Sequence, residues 1–200
     1  MKHRVRRALA IAIGVAVPFT AAACIDPPPP PDPDPEPEST VDAHYADLPT
    51  DNTVNLYDRR ETGGQLRRHA QVFTAGRTGT LDKVSAIFGL SLPSNPTVPI
   101  TITVETLDAQ GKPSGNVIGE GVWDGPLLDP ETFSDVPLTD TAEVEAGQQY
   151  ALVFYNPAPT SMVLYLDAPD YPGGASFEGW PTESWAVDPY DDVPFKTWVR

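Results

Sequence analysis

Thiols and imidazoles are scarce in this sequence: its 200 residues include one cysteine, Cys24, and three histidines. A lone cysteine near the N-terminus excludes an internal disulfide, a thiolate zinc site and a cysteine nucleophile in the body of the chain. After residue 23 only His44 and His69 remain, which excludes a histidine-rich metal centre. Cations are scarce as well. Four of the 13 Lys and Arg fall within the first seven residues, so residues 24–200 hold nine against 28 Asp and Glu, a net charge of −19 (9 − 28). Such a chain repels phosphate backbones and anionic headgroups, and nucleic acid is excluded as a partner. No apolar run reaches the roughly 20 residues that span a bilayer as a helix. No stretch keeps helical periodicity beyond two turns, and no serine stands in a Gly-x-Ser-x-Gly elbow.

What is present begins with a three-zone leader over residues 1–23. Lys2, Arg4, Arg6 and Arg7 make a basic start, Ala8 to Val17 an apolar core, and Ala21-Ala22-Ala23 a small-residue end. That is the pattern of a secretory signal peptide. Cys24 follows at the position where bacterial lipoproteins carry their acylated cysteine, and Thr20-Ala21-Ala22-Ala23-Cys24 resembles a lipobox with alanine in place of the usual leucine. The expectation is a lipid-attached Cys24 and a membrane partner through that anchor, in the extracytoplasmic cell envelope. The Ala-x-Ala sequence also fits ordinary cleavage and simple secretion.

Residues 24–52 read as a linker. Five consecutive prolines, Pro27 to Pro31, lead into Asp32-Pro33-Asp34-Pro35-Glu36-Pro37-Glu38. Proline offers no N–H and fixes φ, so the segment favours polyproline II and would reach about 34 Å over residues 27–37 at ~3.1 Å per residue. Its carboxylates repel one another and extend it. It reads as a spacer, or as a ligand for a proline-binding domain. Residues 39–52 are polar and read as flexible, with His44 in the tether.

Residues 53–200 are enough for one domain. Alternation with period two marks strands at Ile100 to Glu105, Gln149 to Phe154, Lys83 to Phe88 and Phe195 to Arg200. Turn residues separate them at Gly76, Gly111, Gly115, Gly147 and Gly173-Gly174. Many short strands between turns predict an all-β fold, an antiparallel β-sandwich with Ile102, Val104, Tyr150, Leu152 and Phe195 in its core.

Several segments carry a resemblance. Gln71-Val72-Phe73-Thr74-Ala75-Gly76-Arg77-Thr78-Gly79-Thr80-Leu81, Asp108 to Gly115, Val144 to Val153, and Gly173 to Trp185 with Phe195 to Val199 resemble the turn and core motifs of a secreted bacterial β-sandwich family. That family includes choice-of-anchor-type domains. The resemblance covers residues 65–200 and implies a jelly-roll-like sandwich similar to carbohydrate-binding modules. It implies no catalytic motif.

Candidate sites follow from aromatics and carboxylates. Tyr171, Phe177, Trp180, Trp185, Tyr190 and Trp198 cluster late in the chain. Phe177, Trp185 and Phe195 read as core. Trp180 lies in a Gly-Trp-Pro turn and is a candidate platform for the apolar face of a sugar ring. Trp198 reads as half exposed, with arginine stacking as the simpler account. Asp188, Asp191 and Asp192 form a tight acidic loop, which reads as a solvated turn or as a structural calcium site, since calcium takes six to eight oxygen ligands; Asp167 and Asp170 form a second such turn. The strand between Trp180 and the aspartates keeps them about 13 Å apart at ~3.3 Å per residue, so one ligand is not expected to touch both. His69, beside Arg67 and Arg68, reads as lying on an exposed sheet face. The function expected is non-catalytic: an anchored β-sandwich that binds a surface or extracellular polysaccharide or serves as an envelope structural module. The alternative is a polysaccharide hydrolase, whose paired carboxylates no sequence spacing reveals.

Overall fold

A computed structural model of the chain describes residues 37–45, 53–58, 65–90, 99–125, 132–156, 162–166, 171–180 and 184–200. The signal segment, Cys24, the prolines at 27–35 and the turn at Asp167 and Asp170 lie outside the described residues. Every regular element among the described residues is a strand: β1 (Thr40–Tyr45), β2 (Thr53–Asn55), β3 (Tyr57–Asp58), β4 (Gln65–Leu66), β5 (Arg68–Thr74), β6 (Gly79–Ala86), β7 (Phe88–Leu90), β8 (Ile100–Leu107), β9 (Pro113–Trp123), β10 (Ser134–Val144), β11 (Gln149–Tyr155), β12 (Met162–Tyr165), β13 (Ser176–Gly179), β14 (Ala186–Asp188) and β15 (Phe195–Val199).

Ten of these form one antiparallel sheet in the order β1-β15-β6-β10-β9-β8-β11-β5-β13-β14. The sheet curls over on itself at β10. The ends of β10 pair with β6, Val136 opposite Val84 and Ala142 opposite Leu81, while its middle pairs with β9, Leu138 opposite Gly121 and Asp140 opposite Glu120. The register shifts at each change of partner, as expected where a bulge bends a strand between two sheets. Glycines on β9 allow the close approach: a Cβ at Gly121 would stand 2.7 Å from the Pro137 carbonyl oxygen, and one at Gly119 2.9 Å from Ala142 Cβ. The two halves, β1-β15-β6-β10 and β9-β8-β11-β5, are the two four-stranded sheets of a jelly roll, with the first and last strands side by side. The β13–β14 hairpin widens the second half. The expectation of an all-β antiparallel sandwich of jelly-roll type therefore holds.

The core lies between the halves and is filled by alternate residues of facing strands. Leu81, Val84 and Ala86 on β6 and Phe195 and Val199 on β15 meet Ile100, Ile102 and Val104 on β8 and Tyr150, Leu152 and Phe154 on β11. Phe73 and Phe195 bridge the two sheets with ring centroids 6.0 Å apart. The small sheet β2-β12-β7 adds Leu164 and Phe88 to this core. A second apolar cluster covers the opposite face of β5 and β11, where Ala70, Val72, Ala151 and Val153 pack under Phe177 and Trp185.

The boundary at residue 53 is corrected by β1. Residues 40–45 are not part of the linker; they form the edge strand of the first sheet, antiparallel to the C-terminal strand, with Thr40 opposite Val199 and Tyr45 opposite Phe195. The compact unit runs from Glu36 to Arg200. Ala43 and Tyr45 face the core and His44 faces solvent, so His44 is a strand residue rather than a tether residue. The register shifts between Val41 and His44, and the Thr197 hydroxyl serves the displaced backbone: it accepts from Ala43 N at 3.0 Å and donates to Ala43 O at 3.2 Å. Asp42 looks like a linker residue in the sequence. Its carboxylate is almost wholly buried, accepts from Gly76 N at 3.0 Å and faces Arg77 Nε at 3.4 Å, so its charge is compensated in the turn before β6.

Candidate functional site

Trp180 follows β13 and is only half exposed. The Arg67 guanidinium carbon lies 5.9 Å from its ring centroid, and Arg68 donates to its carbonyl oxygen at 3.1 Å. Arg68 also stacks over Trp185 at 4.6 Å, and Arg67 pairs with Glu178. Two arginines at the start of β5 thus interleave with two tryptophans around the β13–β14 hairpin, a cation–π arrangement that fastens the hairpin to β5. Trp185 is buried and lies over Gly179, where a Cβ would come within 2.8 Å of its ring. One side of Trp180 is therefore occupied, which weakens it as a bare platform. Trp198 is capped from within the chain too, but by a lysine rather than an arginine: Lys83 Nζ sits 3.7 Å from its ring centroid, and its Nε1 donates to Ser85 Oγ at 2.9 Å. Of the late aromatics, Tyr190 is the exposed one, at 77 %.

The acidic loop lies at the other end of the hairpin from Trp180, because Ser176 at the start of β13 pairs with Asp188 at the end of β14. Two of its aspartates are used separately. Asp188 Oδ1 accepts from Tyr190 N at 3.0 Å, closing a local turn. Asp192 is buried and accepts from Tyr171 N at 3.0 Å. Among the described residues no three His, Cys, Asp or Glu side chains converge as metal ligands. Two of the carboxylates expected to meet calcium, those of Asp188 and Asp192, hold backbone amides.

His69 is not on an exposed face. It is fully buried, and its Nε2 lies 2.8 Å from Ser176 Oγ. The serine hydroxyl also lies 3.3 Å from Ala70 O, and the imidazole Nδ1 has no hydrogen-bond partner among the described residues. Burial first, and the Arg67 charge second, push the imidazole pKa down from 6.5 to about 3. The sign follows directly. The unfolded chain gains a proton at His69 as pH falls through 6.5, and the folded chain does not until about pH 3, so stability is full above 6.5 and declines as pH drops through that window. The slope for one proton approaches about 1.4 kcal/mol per pH unit. Chemical denaturation between pH 7 and 5 should show this decline in the wild type and a flatter profile in His69→Gln; parallel profiles would contradict it.

An open groove among the described residues lies where the sequence shows only turns. The ends of β5, β8 and β11 and the turns β8–β9 and β10–β11 enclose a groove of about 760 Å3, lined by Thr74, Thr106, Asp108, Glu145, Gln148 and Gln149 with Tyr150 at its floor. Its walls are braced by hydrogen bonds. Asp108 Oδ1 accepts from Gln110 N and Lys112 N at 2.8 and 2.9 Å, and Gly111 closes the turn with a left-handed φ of 76°. Gly147 N donates to Ala75 O at 2.7 Å, Ala75 N to Gln148 O at 2.9 Å and Ala146 N to Thr78 Oγ1 at 3.0 Å, locking the β10–β11 turn to the β5–β6 turn. Thr74 and Gln149 both donate to Gly173 O, at 2.8 and 3.0 Å. The groove is thus a preformed, polar cleft whose lining comes from parts of the chain up to about 75 residues apart. No protein-family model matches this chain, and no curated protein matches it.

Proposed function

We propose that the chain is a non-catalytic, extracytoplasmic binding module, lipid-attached at Cys24 and carried on its proline-rich spacer, that takes a polysaccharide of the cell envelope at one end of a jelly-roll sandwich. The observation that carries this reading is the braced groove. Amide, hydroxyl and carboxylate side chains of six residues converge on an open cleft, the donor and acceptor mixture that matches sugar hydroxyls, and the turns that hold them are already fixed, so little ordering opposes binding. The turn and core motifs that resemble choice-of-anchor-type domains agree with a secreted sandwich. The non-catalytic part is supported by the Ser176–His69 pair: a serine beside an imidazole could suggest a nucleophile, but both are sealed in the interior and the imidazole Nδ1 has no orienting carboxylate among the described residues.

Cells making the full-length chain provide the test. Metabolic labelling with a fatty-acid analogue is expected to tag the wild type, and Cys24→Ser is expected to lose the label and leave the membrane. The released Cys24→Ser protein should still be retained by a polysaccharide of a glycan array. Equal labelling of the two proteins removes the anchor from this reading, and no retention on any glycan removes the binding module.

A further inference from the structure

We infer that the β13–β14 hairpin is an acid-released strap: protonation of His69 frees it from β5 and uncovers the outer face of β5 and β11 while the rest of the sandwich stays folded. The hairpin is the last addition to its sheet, with β14 at the edge and β13 joined to β5 by four residue pairs, Ser176 with Gln71 through Gly179 with Arg68. Beneath it lie Ala70, Val72, Ala151 and Val153. Beyond the ladder it is fastened by the Arg67–Glu178 pair, by Arg68 on the Trp180 carbonyl, and by Lys112 Nζ, which donates to Trp185 O at 2.7 Å. An edge hairpin held by so short a ladder is the kind of unit that opens locally before the whole domain unfolds.

His69 sits in that ladder and cannot carry a charge while the hairpin is docked. Its ring has no exposed surface, Nε2 faces the hairpin's Ser176 Oγ at 2.8 Å, and Nδ1 has no partner among the described residues. An imidazolium would therefore bury a second N–H without an acceptor. The neighbours offer no relief. On one side in register stands Phe154 of β11, which has no charge. On the other stands Glu178 of β13, whose carboxylate is already taken by Arg67. Arg67 itself, just ahead of β5, is the charge that acts on the ring, and it repels a proton there. The docked imidazole thus stays neutral down to about pH 3, whereas a freed one takes its proton near 6.5. Docking is strongest above pH 6.5 and weakens as the pH falls below it.

The experiment is amide hydrogen exchange on the full chain at pH 7 and pH 5, corrected for the intrinsic exchange rates and repeated over a series of low urea concentrations. Global unfolding also frees His69, so the urea dependence is what separates local from global opening. The β13 amides are expected to exchange through an opening that depends weakly on urea, with an opening constant that rises about 25-fold from pH 7 to pH 5. The β8 amides are expected to exchange only with the strong urea dependence of global unfolding. His69→Gln should abolish the rise at β13. Glu178→Gln should open the hairpin more readily at both pH values and keep the rise. Exchange at β13 that is unchanged between the two pH values overturns the proposal, as does β13 exchange with the urea dependence of β8; both are read in the wild type, whether or not His69→Gln folds. A rise that survives in His69→Gln, or disappears in Glu178→Gln, moves the trigger to another group and overturns it as well.

Discussion

A chain beginning at residue 53 is expected to lose cooperative folding, whereas one beginning at Pro37 keeps it. The difference is β1 and what it covers. Without β1 the terminal strand β15 becomes a bare edge, and its Thr197 hydroxyl loses both of its bonds to Ala43. Tyr45 leaves the core, and with it the tilted contact to Tyr171 at 5.8 Å that backs Tyr171 against Phe195. The buried carboxylate of Asp42 no longer holds Gly76 N in the turn before β6. Burial of one large side chain contributes about 1.5–3 kcal/mol and each net hydrogen bond about 0.5–1.5 kcal/mol. Their joint loss is comparable with the whole stability of a domain, roughly 5–15 kcal/mol. The new edge would also leave the backbone N–H and C=O groups of Phe195–Val199 that β1 pairs without partners in the sheet. Far-UV dichroism and thermal melts of residues 37–200 and 53–200 separate the cases. A shared, sharp transition in both proteins would mean that β1 is dispensable.

This strand marks the limit of what the sequence discloses. The central strands were legible because burial on one face writes itself as alternation: Ile100, Ile102 and Val104 on β8, and Tyr150, Leu152 and Phe154 on β11, are all buried as their period requires. In β1 the same alternation is present, but Asp42 and His44 sit among the apolar positions and the proline run beside them suggests a tether. What cancels that impression is tertiary: Arg77 and Gly76 N for Asp42, and solvent for His44. His69 misled for a related reason. Two flanking arginines suggest an exposed face, yet Arg67 and Arg68 are drawn outward to Glu178, Trp180 and Trp185 while the imidazole between Arg68 and Ala70 points inward to Ser176. The groove was illegible for a third reason. Each of its turns was recognisable as a turn, at Gly111 and Gly147 with their left-handed backbones, but only the jelly-roll connection brings the two hairpin tips and the end of β5 to one end of the sandwich.

Phe195→Ala is expected to be the most damaging single substitution in the core. Phe195 has no exposed surface and stands in register between Tyr45 on β1 and Ala86 on β6, so it is flanked on both sides within its own sheet. Across the sandwich it meets Phe73 at 6.0 Å, and the Tyr171 ring stands edge-on to it at 5.1 Å and 89°. Alanine would leave a void walled by two other rings on separate parts of the chain, Phe73 and Tyr171, neither of which can close it without pulling a strand or loop out of register. Truncation at such a site costs about 3–5 kcal/mol. For a domain of this size each kcal/mol shifts the melting temperature by about 2–4 °C, so a fall of about 10 °C is expected. Phe177→Ala is the informative control. Phe177 is also buried, at 4 % exposure, but it belongs to the outer cluster under Trp185, where one hairpin alone covers the sheet and can settle onto the smaller side chain. Its loss should cost less. A chain that melts earlier without Phe177 than without Phe195 would place the main core on the outer face of β5 and β11, against the interior packing on which the sandwich depends.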